Sequence, residues 1–198
     1  MNQEVTNIQK LSTKKRAGQK MIKAFTGDIF KFINEEQLDT LINAANGVGP
    51  MGRGIAGAIK KYGGKEIQTE AFKVCRFENP LPGGAYKTDS GRLFVKGIER
   101  IIHAVTMKEP GGPTSLDIIE QAFNSALKMA EKQGSLKIGC TALGTGVGGL
   151  DPSEVAVRMF KTAKKYISKM DIVFVDLNNV FINKIIYFIN NDNIGQAG

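Results

Sequence analysis

The chain has 198 residues, 42% of them hydrophobic, enough for one domain with a sizeable core. Its formal net charge is +8, which favours anionic partners such as nucleic acid, a membrane surface or an anionic ligand. Two cysteines exclude a disulfide framework, no apolar run reaches bilayer length, and MNQEVTNIQK lacks the apolar core of a signal peptide, so a cytoplasmic protein with reduced thiols and no membrane partner is expected.

Residues 1–20 carry Lys10, Lys14, Lys15, Arg16 and Lys20 against Glu4, about half of the positive excess. They read as a basic flexible lead-in, with residues 21–190 as the domain and 191–198 as a tail. The bland reading of the lead-in is a solvated charged segment; a weak nucleic-acid contact through it is the alternative. From Met21 a strand-like run ends at Gly27-Asp28-Ile29, and Phe30–Gln37 reads as a short connection or helical turn. Asp39–Ala45 reads as a buried strand, followed by helical pieces over Gly54–Tyr62 and Lys65–Cys75, broken at Gly63-Gly64. Gly83–Thr88 and Arg100–Val105 predict strands joined through a turn at Asp89-Ser90-Gly91.

Thr114 or Ser115 can cap the next helix, whose apolar positions recur at helical spacing from Ile118 to Ala130. Lys137–Ala142 predicts a strand, Asp151-Pro152 opens a helix running to about Ser168, Asp171–Asp176 is the last strand and Phe181–Ile189 a closing helix. Alternating strands and helices imply an α/β fold, a three-layer α/β/α sandwich with a central mixed, mostly parallel sheet.

Two glycine loops stand out, Gly47–Gly54 and Gly144–Gly149, each leaving a strand and entering a helix. Such junctions concentrate backbone N–H groups at the positive end of a helix dipole and suit phosphate. In open α/β sheets ligands bind beyond the carboxyl ends of the strands, so two such loops side by side can clamp two adjacent phosphates. Both loops match G-x-G-x-x-G by letter, yet neither is followed by a strand ending in an acidic residue about 20 positions on, which argues against a nicotinamide-dependent oxidoreductase. GxxxxGK[ST] is absent from the sequence, and no metal-ligand cluster or cofactor motif is apparent. His103 is the only histidine and sits within the apolar run RIIHAV; it reads as a core histidine, and Cys140 as a core thiol rather than a nucleophile.

Four stretches in order resemble the macro domain family: Gly27-Asp28-Ile29; Asn43-Ala44-Ala45-Asn46 with Gly52-Arg53-Gly54-Ile55-Ala56-Gly57-Ala58-Ile59; Ile101-Ile102-His103-Ala104; and Gly144-Thr145-Gly146-Val147-Gly148-Gly149. The resemblance covers roughly residues 21–190. It implies binding of ADP-ribose or an ADP-ribosylated protein, and in many members hydrolysis of ADP-ribose linkages: mono-ADP-ribosyl esters on proteins, O-acetyl-ADP-ribose or ADP-ribose 1''-phosphate. Carried over by position, Asp28 accepts from the adenine amino group with the backbone of Ile29 beside it, against a plain reading of Asp28 as a turn or cap residue. Asn46 reaches the distal ribose and is the residue through which catalysis would run. The backbone at Gly54, Ile55, Ala56, Gly144, Thr145, Gly146, Val147 and Gly148 holds the pyrophosphate, and Val180 or Phe181 stacks on adenine.

Two departures bear on mechanism: Ala56 stands where hydrolytic members have an aspartate, and Gly148 where they have an aromatic. A substrate-assisted route, with water held between Asn46 and a substrate phosphate oxygen, is left open by them. A non-catalytic ADP-ribose reader and a binder of poly(ADP-ribose) or RNA are the alternatives to an ADP-ribosyl hydrolase or O-acetyl-ADP-ribose deacetylase.

Overall fold

The computed structural model describes residues 20–194. Nearly all of the basic lead-in and the end of the tail lie outside the described residues. Six strands, β1 (Ile22–Thr26), β2 (Thr40–Asn46), β3 (Ala85–Asp89), β4 (Arg100–Met107), β5 (Lys137–Cys140) and β6 (Asp171–Asp176), form one sheet in the order β1-β6-β5-β2-β4-β3. All neighbours pair in parallel except β3, which runs antiparallel to β4 at the edge. This is the mixed, mostly parallel sheet that the alternation of elements predicts.

Helices cover both faces, so the central strands bury side chains on each. Along β6, Ile172 and Phe174 enter one apolar cluster while Val173 and Val175 enter another. The first cluster is closed by α4 (Leu116–Lys132), α5 (Pro152–Lys164) and α6 (Asn179–Ile194), and the second by α1 (Ile29–Glu36) and α2 (Gly54–Gly63). α3 (Lys65–Glu78) contributes Ala71 and Cys75 to a third, smaller cluster with Tyr86 and Val105. Two-sided burial explains why β2, β4 and β6 read as continuous apolar runs rather than as alternating ones.

The capping residues act as the sequence suggests. Ser115 Oγ accepts from the Ile118 N–H at 3.3 Å, and Asp151 accepts from the Glu154 N–H at 2.9 Å with Pro152 in the first turn of α5. Three elements differ from expectation. Phe30–Gln37 is no mere connection: all but Gln37, which ends it, belongs to the eight-residue helix α1, nucleated by Asp28, whose Oδ1 accepts from the Phe30 N–H at 3.0 Å. Residues Gly91–Lys96 form a 3-10 helix, seated by the buried Leu93 against the second cluster. The closing helix α6 begins at Asn179 and runs on to Ile194, into the expected tail. Among the described residues no helix is long and apolar enough to cross a membrane.

His103 lies in β4 among buried groups. Its Nδ1 meets Asn43 Nδ2 at 3.0 Å, its Nε2 meets Thr88 Oγ1 at 2.9 Å, and its ring stacks on Tyr86 with centroids 4.5 Å apart. The Thr88 hydroxyl donates to the Asp89 carbonyl at 3.0 Å, so it accepts from Nε2–H and the Asn43 amide donates to Nδ1. Protonation would add a donor where a donor already points, in a fully buried site; burial pushes the His103 pKa down to about 3. This is a core histidine. Cys140 is fully buried and its thiol pKa is raised by burial and then by Asp176, the opposite of an activated nucleophile.

Candidate functional site

The sheet order places β5 beside β2, and the chain leaves them in opposite directions. From β2 it enters α2 on one face, and from β5 it enters α5 on the other. Such a divergence opens a crevice at the carboxyl ends of the strands. A cleft of about 850 Å³ lies there, and both glycine loops line it.

In the first loop, Asn46 is the keystone. The β2–β4 register shifts between Ala45 and Asn46, a bulge that re-aims the last residue of the strand. Asn46 Oδ1 accepts from the Val48 and Gly49 N–H groups at 3.1 and 2.8 Å, and Nδ2 donates to the Pro50 carbonyl at 2.9 Å. From α3, Gln68 Oε1 accepts from the Met51 N–H at 2.9 Å, fixing the loop from behind. The loop then delivers the N-terminus of α2 to the cleft. Gly54, Ile55 and Ala56 are its first residues and line the cleft, so their N–H groups have no intrahelical acceptor.

In the second loop, the Gly149 N–H closes on the Gly146 carbonyl at 3.1 Å and the Leu150 N–H on the Gly144 carbonyl at 3.2 Å. The closing donors lie at the far end of the turn, outside the run Thr145–Gly148 that lines the cleft. Gly144 has φ of +74°, and a Cβ there would lie 2.6 Å from Ile119 Cδ1. At Gly148 a Cβ would lie 2.5 Å from the Gly144 carbonyl oxygen and 2.8 Å from Thr114 Cγ2, so an aromatic side chain has no room at this position without a rebuilt loop. A Cβ on Gly146 would meet only open space. The two loops thus present helix-end and turn backbone to one cleft from both sides.

Asp28 and Ile29 line the same cleft at the β1 exit, beside Asp176 at the β6 exit. Asp176 was not among the residues singled out from sequence. Its Oδ2 accepts from the Ala142 N–H at 2.9 Å and its Oδ1 from the Asn178 N–H at 2.8 Å, tying the ends of β5 and β6 together. Only its position as the last residue of a strand hints at this. Arg53, exposed at the rim between Gly52 and Gly54, brings positive charge to the first loop. The remaining expected ligand residues fall elsewhere. Phe181 is 0% exposed and meets Phe174 edge-on with ring centroids 5.7 Å apart, so it is a core residue and cannot face a ligand. Val180 is 53% exposed but lies outside the cleft lining; Leu177 occupies the wall on that side. The reason is local: Asn178 Oδ1 accepts from the Val180 and Phe181 N–H groups, which starts α6 immediately and turns Phe181, not Val180, inward.

The model of the macro domain family matches residues 42–159, well over half of the chain and spanning both glycine loops. The chain belongs to the macro domain family. An uncharacterized protein of Aquifex aeolicus is 38% identical over 154 residues, covering 76% of this macro domain chain and 88% of that protein. Among solved structures, the macrodomain of Mycobacterium tuberculosis DarG superposes with a TM-score of 0.68 at 27% identity, covering 79% of this chain and 97% of that one. A mutant of the Oceanobacillus iheyensis macrodomain, solved with ADPR, gives a TM-score of 0.69 at 21% identity and covers 86% and 92%. The macro domain fold here is therefore the one implied by the four sequence stretches; three of them border the switch-point cleft, while Ile101–Ala104 lies buried in β4.

Proposed function

We propose that this macro domain, residues 21–190, binds ADP-ribose in the switch-point cleft and cleaves ester-linked ADP-ribose by a substrate-assisted route. The observation that carries the binding reading is the pairing of two backbone-lined loops, the helix-start groups of Gly54, Ile55 and Ala56 facing the turn Thr145–Gly148 across one cleft. Backbone N–H groups recognise a pyrophosphate through charge-assisted hydrogen bonds and need no side chain. The solved macrodomain with ADPR supports the same ligand.

The chemistry has few protein groups to draw on. Among the described residues, Asp28 and Asp176 are the carboxylates lining the cleft, at the β1 and β6 exits, with β5 standing between them and β2. Of the Asn46 hydrogen-bonding groups, Oδ1 is filled and Nδ2 retains one N–H, which donates to a ribose hydroxyl or to water but takes no proton. Hydrolysis then uses a phosphate oxygen of the bound nucleotide to accept the proton of the water as its oxygen adds to the ester carbonyl, and to return it to the ribose oxygen as the ester C–O bond breaks and the carboxylic acid leaves; the protein contributes position. That no carboxylate or histidine among the described residues lines the cleft at the first loop favours a second reading, a reader that binds ADP-ribose without turnover.

One sample separates these. ADP-ribose is expected to raise the melting temperature while NADH does not; at 100 times its dissociation constant a ligand adds about 2.7 kcal/mol. Equal shifts with NADH would contradict the binding reading. Release of acetate from O-acetyl-ADP-ribose by the same preparation supports the hydrolase, and stabilisation without release supports the reader.

A further inference from the structure

The Asp28 side of the cleft has an aromatic wall, although the β6 exit does not supply it. Phe30 and Tyr62 both line the cleft on the same side as Asp28. Phe30 is the second residue of α1, two positions after Asp28, and packs partly against the second apolar cluster. Tyr62 lies in the last turn of α2 and is 40% exposed. Their ring centroids are 4.5 Å apart with the planes tilted by 38°. The ammonium groups of Lys61, its neighbour on α2, and of Lys96, from the 3-10 helix, stand 5.6 and 5.8 Å from the Tyr62 centroid, within cation–π range.

We propose that the purine of a bound nucleotide lies against this Phe30–Tyr62 wall, with the Asp28 carboxylate accepting from its exocyclic amine, so that the α1–α2 side, not the β6–α6 side, reads the base. The proposal rests on the ADP-ribose reading above and adds to it which residues select the base. Three observations converge. The aromatic expected after β6 is buried at Phe181, and Leu177 on that wall is a 76% exposed aliphatic. The aromatic pair stands beside a carboxylate, an acceptor-only group suited to an amine. The rings already pack on each other, with Phe30 against the core and two cations near Tyr62, so stacking orders little that is not ordered before binding. The pair was not legible in sequence because Phe30 and Tyr62 belong to different helices 32 positions apart; the signal was the aromatic next to Gly27-Asp28-Ile29.

The test is a calorimetric titration of ADP-ribose into the full chain and into Tyr62→Phe, Tyr62→Ala and Leu177→Ala, with tyrosine emission followed in parallel. The chain has no tryptophan and four tyrosines, so quenching by a stacked purine is visible. Tyr62→Phe is expected to keep affinity and lose much of the quench. Tyr62→Ala is expected to weaken binding about tenfold, within the range for one base on one aromatic ring, and Leu177→Ala to change it little. Full affinity in a folded Tyr62→Ala, or a larger loss in Leu177→Ala, would overturn the proposed wall while leaving the cleft reading intact. A wild type that takes up no ADP-ribose would instead overturn the functional reading itself.

Discussion

Asp28 caps a helix and, in the proposed function, also binds the ligand, and one pair of substitutions separates the two roles. Its Oδ1 caps α1, and it lines the cleft where an amine donor would sit. Asp28→Ala is expected to lose about 1 kcal/mol of stability with the cap and roughly 1.5–3 kcal/mol of ADP-ribose affinity with the charged acceptor. Asp28→Ser keeps a capping oxygen, so its urea midpoint should stay near wild type while its affinity falls. Unchanged affinity in both folded variants would remove Asp28 from the site. The cap and ligand readings, opposed in the sequence, are compatible in the fold because a carboxylate has two oxygens. His103 gives a residue-scale test of a different kind. Its pKa is lowered to about 3 in the folded chain, against about 6.5 for an unperturbed histidine, so the unfolded state binds the extra proton first as pH falls. Stability from this group is fully present above pH 6.5 and is lost toward pH 3. Between pH 6.5 and 5 the loss should be about 2 kcal/mol, read as a falling urea midpoint, with His103→Gln flattening the slope. A wild-type midpoint independent of pH in that window would contradict a neutral, buried His103.

At the scale of elements, the two loops respond differently to the same chemistry. Gly144→Val is expected to destabilise the fold, since φ is +74° and its Cβ would strike Ile119 beneath it. Gly146→Val should leave the melting temperature nearly unchanged and abolish ADP-ribose binding, because its side chain would occupy only the open cleft. Circular dichroism melts and titrations on the two variants check this; a Gly146→Val chain that still binds would move the phosphates off the second loop. Asn46→Ala is a loop variant before it is a catalytic one. It removes three hydrogen bonds that hold residues 48–50, each worth about 1 kcal/mol net, so stability and affinity should fall together. Much of this was readable in advance. Glycines between an apolar run and a helical period mark a strand-to-helix loop whatever surrounds them, and Asp151-Pro152 announces a helix start. What stayed hidden was direction: periodicity does not say that Asn46 would spend its side chain on its own loop, nor that Asn178 would start α6 early enough to bury Phe181. The 3-10 helix Gly91–Lys96 was invisible for a related reason, since it is held by Leu93 against distant residues and carries no periodic pattern of its own.

For the whole molecule, the proposed function follows from one topological fact. β2 and β5 are neighbours whose chains turn to opposite faces, so both glycine loops border the same cleft, with Asp28 and the Phe30–Tyr62 pair at its β1 side. Strand order of this kind is set by long-range pairing and is not contained in local pattern: the general rule for α/β sheets allows two loops 90-odd positions apart to lie side by side, but local pattern does not show that β2 and β5 are the neighbours that bring them together. The central claim is that this cleft is built for a pyrophosphate-bearing nucleotide held by backbone. A single calorimetric titration of ADP-ribose into the wild-type chain, repeated with Gly146→Val, tests it most directly. The account expects saturable uptake of one equivalent by the wild type and no heat of binding from the folded variant. Silence from the wild type, or an isotherm in Gly146→Val equal to that of the wild type, would contradict it.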